Sequence, residues 1–113
     1  MTDHREMLEF AARALGIDIS AGWSDGNEPY SSGPHFILLT GHAWNPGTNS
    51  GQCAYMCAAL GIDTKWGASI VACGSDRVLR WLAEPCAKLE YRPAAWRLAA
   101  LRVAAEIGKG MRG

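Results

Sequence analysis

The sequence predicts an α+β protein in which a small, mainly antiparallel sheet of three to four strands packs with three helices in a sandwich-like arrangement. Three segments carry apolar residues at helical spacing, and short apolar runs bounded by glycine or proline lie between them. The predicted order is helix, strand, helix, a hairpin with a further strand, and helix. Helices combined with hairpins in this way are typical of α+β folds. We expect a single globular domain spanning 1–113.

The predicted helices span about 3–15, 50–60 and 93–107, and each has recognisable end signals. Thr2 or Asp3 can cap the first helix, and Asp3 and Glu6 have the spacing of a capping box. A glycine follows each helix and suits the left-handed conformation in which helices commonly end. The residues expected to begin the other two helices are Thr48 or Asn49 and Pro93.

Strands are predicted from short apolar runs between turn-forming residues. Residues 36–40 suit a buried strand, and 62–66 with 69–73 suit a hairpin. The run at 78–82 has two apolar pairs around one arginine, which fits either a third strand or a short helical turn. Residues 22–35 are rich in glycine, proline, serine and aspartate, and we expect an exposed loop there.

Composition favours a compact domain that does not span a membrane. The formal net charge is zero, and five tryptophans supply large apolar side chains. A chain of this mass buries about two-thirds of its surface on folding, which allows a core without disulfides or a metal. No apolar run approaches the roughly 18 residues of a membrane span, and the polar residues 2–6 are unlike a signal peptide. We therefore expect a cytoplasmic protein with no membrane partner.

The four cysteines are expected to be reduced core residues. Cys53 and Cys57 are four residues apart in the predicted second helix, and Cys73 ends an apolar run. The alternatives are a disulfide framework and a metal site completed by His35 and His42. Structural zinc ligands usually come as two closely spaced pairs, and the remaining cysteines are too far apart for a second pair. We expect neither a metal nor another cofactor.

Residues 50–55 superficially resemble the active-site helix of papain-like thiol peptidases. In that family a cysteine at a helix N-terminus gains thiolate character, and a glutamine donates a hydrogen bond to the oxyanion. Here Gln52 is adjacent to Cys53, whereas the family's glutamine lies several residues earlier. All three histidines precede Cys53, which reverses the papain order. A thiol enzyme that pairs Cys53 with His35 or His42 is therefore the most remote functional hypothesis.

Charge is distributed unevenly along the chain. Residues 1–63 carry seven acidic and two basic side chains, and residues 64–113 carry four acidic and nine basic ones. The simpler interpretation is that the two halves fold against each other; the alternative is a basic surface on the C-terminal half. Basic residues interleaved with aromatic ones are typical of surfaces that stack nucleic-acid bases. A nucleic-acid-binding module is therefore the second hypothesis, although no known recognition motif is present.

Four residues are weak candidates for contacting a partner. Trp44 precedes an Asn-Pro-Gly turn, where a tryptophan either packs under the loop or forms an exposed anchor. The other three are basic residues of the predicted last helix and of the segment before it. They are Arg92, Arg97 and Arg102.

Several short motifs resemble a group of small, uncharacterised proteins of tailed phages and prophages, described as alpha-beta-alpha sandwich proteins. Their pattern is a Trp-Asn-Pro turn, a few polar residues, a helix and Leu-Gly-Ile, which match 44–46 and 60–62 here. The helix ending at 16–17 and the segment 97–108 are also similar. The family often has acids where this chain has Asn49 and Gln52. The resemblance implies the fold, a phage origin and a bacterial host cytoplasm, and it supplies no catalytic residues.

The leading hypothesis is a non-enzymatic accessory protein of a phage or prophage that acts by binding a protein partner or by self-association. It predicts a sizeable exposed apolar patch around a tryptophan, because interaction surfaces expose such patches. A wholly polar surface would count against it.

Overall fold

The α+β class is confirmed by a computed structural model, which describes residues 3–26 and 33–111. Within these residues three α-helices pack with two antiparallel sheets of three strands each. The helices are α1 (His4–Leu15), α2 (Ser50–Leu60) and α3 (Arg92–Gly110). Sheet A contains β1 (Trp23–Ser24), β2 (His35–Ile37) and β3 (Ala43–Trp44), and sheet B contains β4 (Asp63–Trp66), β5 (Ile70–Gly74) and β6 (Leu82–Pro85).

The first two helices begin and end where the capping residues predict. The Asp3 side chain accepts a hydrogen bond from the Glu6 amide at 2.7 Å, and the Asn49 side chain accepts one from the Gln52 amide at 2.9 Å. Each helix ends at a glycine with positive φ. Helix α3 begins one residue before Pro93 and continues to Gly110, past its predicted end.

The antiparallel strands are divided between two sheets instead of forming one. In sheet A, Phe36 pairs with Trp23 on one side and with Trp44 on the other. Strand β2 ends at Ile37, before the predicted end at 40, because a turn closed by a hydrogen bond from the Gly41 amide to the Leu38 carbonyl follows it. Strand β1 lies within the predicted loop 22–35, which is a correction to that prediction, and β2 begins at the last residue of the loop. Residues 27–32 lie outside the described residues.

The strand predicted at 78–82 lies further along the chain. Residues 77–80 form turns and bends, with a hydrogen bond from the Val78 amide to the Ser75 carbonyl, and β6 begins at Leu82. Pro85 is the last residue of β6, an edge strand, where proline is tolerated because its missing N–H breaks no central ladder. The prediction of a further strand is therefore right, and its position is wrong.

Helix α3 is the central element of the core. It packs against α1, α2 and strands β5 and β6, which explains why it is apolar on most sides. At the crossing with α1, a Cβ built on Gly108 would lie 1.9 Å from the Phe10 carbonyl oxygen. The two backbones therefore approach as closely as glycine allows. Among the described residues, no helix is both long and apolar enough to cross a membrane.

Candidate functional site

Trp44 packs in the core, as one of the two interpretations of its turn predicted. The other interpretation, a surface anchor that contacts a partner, is wrong. It is only 4% exposed and belongs to the cluster that contains Leu8, Phe36 and Met56. Strand β3 directs the ring inward beside its cross-strand partner Phe36. A buried indole cannot contact a partner without unfolding of this corner.

The Trp-Asn-Pro turn holds sheet A, α1 and α2 together through Asn45. The buried Asn45 side chain donates to the Pro34 carbonyl at 2.7 Å, accepts from the Gly47 amide at 2.8 Å and lies 3.0 Å from His4 Nε2. Its backbone amide donates to Gln52 Oε1 at 2.7 Å. These bonds account for the motif by its role in the fold, with no ligand required.

The three candidate arginines connect α3 to three other parts of the chain through hydrogen bonds and an ion pair. Arg92 donates to the carbonyls of Gly67 and Ala68, at 2.9 and 3.2 Å, in the β4–β5 turn. Arg97 donates to the Gly47 carbonyl at 3.2 Å and to Ser50 Oγ at 2.9 Å. The third, Arg102, pairs with Glu84 of β6.

The spacing of these arginines keeps them from forming one basic face. They are five residues apart, and five residues of an α-helix turn through about 500°, which places successive members about 140° apart around α3. Each therefore points to a different neighbour, as the hydrogen bonds show. Arg97 reaches Ser50 at the start of α2, Arg92 reaches the β4–β5 turn, and Arg102 reaches β6, so the arginines give the nucleic-acid hypothesis no continuous basic track.

An apolar groove lies elsewhere, where the end of β4 meets the start of α3. Its volume is about 540 Å³. The lining residues, listed together, are Ser50, Trp66, Leu89, Arg92, Pro93 and Trp96. We call this depression the Trp66 groove. Sites of this size bind small molecules or short peptide segments.

The floor of the Trp66 groove is exposed but held in place. Trp66 is 51% exposed, and Leu89 of the 3₁₀ turn before α3 is 83% exposed. The Arg92 guanidinium lies 4.8 Å from the centre of the Trp66 ring, a cation–π distance. The Trp96 indole donates to Thr64 Oγ1 at 3.1 Å, which fixes the second tryptophan. The groove is therefore a surface of large apolar groups that the fold has already ordered.

The sequence contains little that marks this groove. Trp66 and Trp96 are thirty positions apart, and no motif joins them. Two signals are visible once the hairpin register is known. Trp66 and Thr64 share the face of β4 that is turned toward α3, and Arg92 and Trp96 are one helical turn apart.

Cys53 lacks the exposure and the ionisation of a catalytic thiol. It is 0% exposed, and a hydrogen bond with Cys57 together with burial raises its pKa. The same hydrogen bond lowers the pKa of the half-buried Cys57. Burial also raises the pKa of Cys73, whose sulfur lies 3.5 Å from Thr64 Oγ1. This geometry gives the thiol-enzyme hypothesis no support, since a nucleophile must be an accessible thiolate.

The cysteines do not assemble a metal centre in the described part of the chain. No group of three histidine, cysteine, aspartate or glutamate side chains is arranged there to hold a metal ion. All four cysteines are free thiols, and three of them are buried. They pack as small apolar residues.

Comparison of the chain with known protein families, curated proteins and solved structures gave no match.

Proposed function

We propose that this chain is a non-enzymatic accessory protein of a tailed phage or prophage, and that it acts in the bacterial host cytoplasm by binding another protein. The observation that carries the proposal is the exposed apolar surface at Trp66 and Leu89. Large apolar side chains that a fold leaves in water are typical of interaction surfaces.

The Trp66 groove has the features of a binding hot spot. Tryptophan and arginine are enriched at such positions, and here the Arg92 guanidinium stacks on Trp66. Hydrogen bonds to Gly67 and Thr64 hold Arg92 and Trp96, so little side-chain entropy is lost when a partner docks. A protein segment that covers the groove would remove its apolar surface from water, and this burial drives association.

The phage origin is supported by residues of the fold itself. The Trp-Asn-Pro turn at 44–46 and the Leu-Gly-Ile segment at 60–62 flank α2, and they resemble the corresponding segments of small tailed-phage proteins. In this chain the two segments form a hydrogen-bonded turn and a helix end. The resemblance therefore supports shared architecture and origin, and the Trp66 groove supports the binding role.

A peptide-display selection tests the binding role. A yeast-displayed library of random peptides is sorted against the wild-type protein, Trp66→Ala and Trp81→Ala. Trp81 is the matched control, because it is 43% exposed and does not line the groove. We expect enriched peptides that bind the wild type and Trp81→Ala and that lose binding to Trp66→Ala. No enrichment, or equal binding to all three proteins, would overturn the proposal. Circular dichroism confirms that each variant is folded.

A further inference from the structure

We infer that the Trp66 groove takes an acidic peptide segment, one that sets an aliphatic side chain on the two indoles and a carboxylate against a cationic rim. This inference rests on the proposed function and adds the chemistry of the partner. It follows from the shape of the groove, from the charges around it and from the hydrogen-bonding capacity that the fold leaves unused.

The floor of the groove suits an aliphatic side chain next to peptide backbone. Two indoles, Leu89 and Pro93 provide carbon surface. The Trp96 indole N–H is already bonded to Thr64, whereas the Trp66 indole N–H has no hydrogen bond to the described residues. The Trp66 N–H therefore offers a donor to a carbonyl oxygen of a bound peptide.

The charge at the groove is positive. Among its described lining residues Arg92 is the one charged side chain. Lys88 and Arg97 flank it along the chain, and Glu90 is the one acid between them. Helix α2 begins at Ser50 on the rim with no acidic residue in its first turn, so its N-terminal partial charge adds to the positive field. A carboxylate complements this rim, and a cationic segment would be repelled.

Arg92 lines the groove, Arg97 is bonded to the rim residue Ser50, and both have N–H donors that their own hydrogen bonds leave unused. A guanidinium carries five N–H donors. Arg92 uses two nitrogens on the carbonyls of Gly67 and Ala68, and Arg97 uses two on Gly47 and Ser50. These bonds fix the position of each charge and leave further N–H groups for a carboxylate. A guanidinium whose position is fixed in this way binds a carboxylate with a smaller entropic penalty than a flexible lysine would.

A peptide fits the surface better than a nucleic acid does. Nucleic acids need successive phosphate contacts along a continuous basic track. The arginines of α3 point to different neighbours, and Glu90 interrupts the basic segment 88–97. The apolar floor with one short cationic rim instead matches a compact segment that carries one or two carboxylates.

Anisotropy titrations with three fluorescein-labelled peptides test the inference. The peptides share the same leucine and proline positions and differ only in whether their charged positions hold glutamate, glutamine or lysine. We expect the glutamate peptide to bind at least about tenfold more tightly than the glutamine peptide, and the lysine peptide to bind most weakly. The preference should shrink as salt is raised from about 50 to 300 mM, since salt screens exposed charges.

Two matched charge reversals locate the effect. Lys88→Glu should raise the Kd of the glutamate peptide by about three- to tenfold. Arg80→Glu makes the same change in charge at an exposed position outside the groove and should leave the affinity unchanged. Equal loss in both variants would mean that net charge, not the rim, governs binding, and would overturn the inference.

The remaining outcomes separate this inference from the proposed function. Equal affinity for the three peptides, lost in Trp66→Ala, would overturn the acidic preference and leave the binding function standing. Tighter binding of single-stranded DNA than of the glutamate peptide would overturn the inference in favour of nucleic acid. If no peptide of the three binds, the acidic preference is also overturned, and the display selection decides the binding function independently.

Discussion

At the scale of single residues, Asn45 is the polar side chain on which the Trp-Asn-Pro corner depends most. It is buried, and its amide bonds reach the Pro34 carbonyl and the Gly47 amide. Because both partners are backbone groups, they cannot adjust when the side chain is removed. The amide of Asn45 therefore contributes to the stability of the fold.

Asn45→Ala should lower the free energy of unfolding by about 2–3 kcal/mol, because it leaves buried backbone groups without partners. Urea denaturation followed by circular dichroism measures this change. The control is Asn49→Ala, which removes the exposed cap of α2 and should cost about 1 kcal/mol. If Asn45→Ala is no more destabilising than its control, Asn45 is not the centre of this corner.

A second residue-scale prediction concerns the thiols. In the folded protein Cys57 should react with iodoacetamide first, because its pKa is lowered and it is half-buried, whereas Cys53 is fully buried and its pKa is raised. The reaction rate of Cys57 should rise with pH, and the midpoint of that rise should lie at a lower pH than for an ordinary thiol. Mass spectrometry after brief labelling identifies the site, and Cys57→Ser should remove the fast phase. Modification of Cys53 first would contradict the assigned hydrogen bond.

At the scale of elements, the crossing of α1 and α3 requires a glycine, Gly108, at the point of contact. Gly108→Ala would bring a methyl group against the Phe10 carbonyl, which is backbone and cannot rotate away. We expect the free energy of unfolding to fall by about 1–3 kcal/mol, as at other overpacked sites. Gly110→Ala is the control, because a Cβ there meets nothing within 4 Å. Equal melting temperatures for the two variants would show that the helices do not cross this closely.

Elements with signals in their own sequence could be predicted, and elements set by tertiary packing could not. The ends of α1 and α2 follow from Asp3, Asn49 and the glycines after each helix. The sequence places strand β6 too early, because residues 77–80 form turns and bends. Pro85 can end β6 because β6 is an edge strand. The extra turn of α3 likewise has no local signal, since packing against α1 stabilises it.

In the candidate site, too, features with a local sequence signal could be predicted and features set by tertiary packing could not. The arginines of α3 were visible as charges, but only the fold reveals that backbone carbonyls engage them. The Trp66 groove depends on the register of sheet B and on how α3 packs against that sheet, and neither follows from the sequence pattern. Trp44 carried a stronger sequence signal than Trp66, and that signal belongs to the core.

At the scale of the whole molecule, the Trp66 groove joins residues from α2, β4, the 3₁₀ turn and α3. Its rim is positive, so two copies that met groove to groove would oppose like charges. We therefore expect a mass of 12.2 kDa in native mass spectrometry under reducing conditions at low micromolar concentration. A dimer that Trp66→Ala dissociates would instead make a second copy the occupant and would contradict the acidic-peptide inference.

The most direct test of the account is the affinity of one display-selected peptide for the wild type, Trp66→Ala and Trp81→Ala, measured by fluorescence anisotropy. Truncation of a tryptophan hot spot typically costs at least about 2 kcal/mol, which corresponds to about a 30-fold rise in Kd. We predict that rise for Trp66→Ala and an unchanged Kd for Trp81→Ala. The same Kd for all three folded proteins would contradict the claim that the Trp66 groove is the binding site.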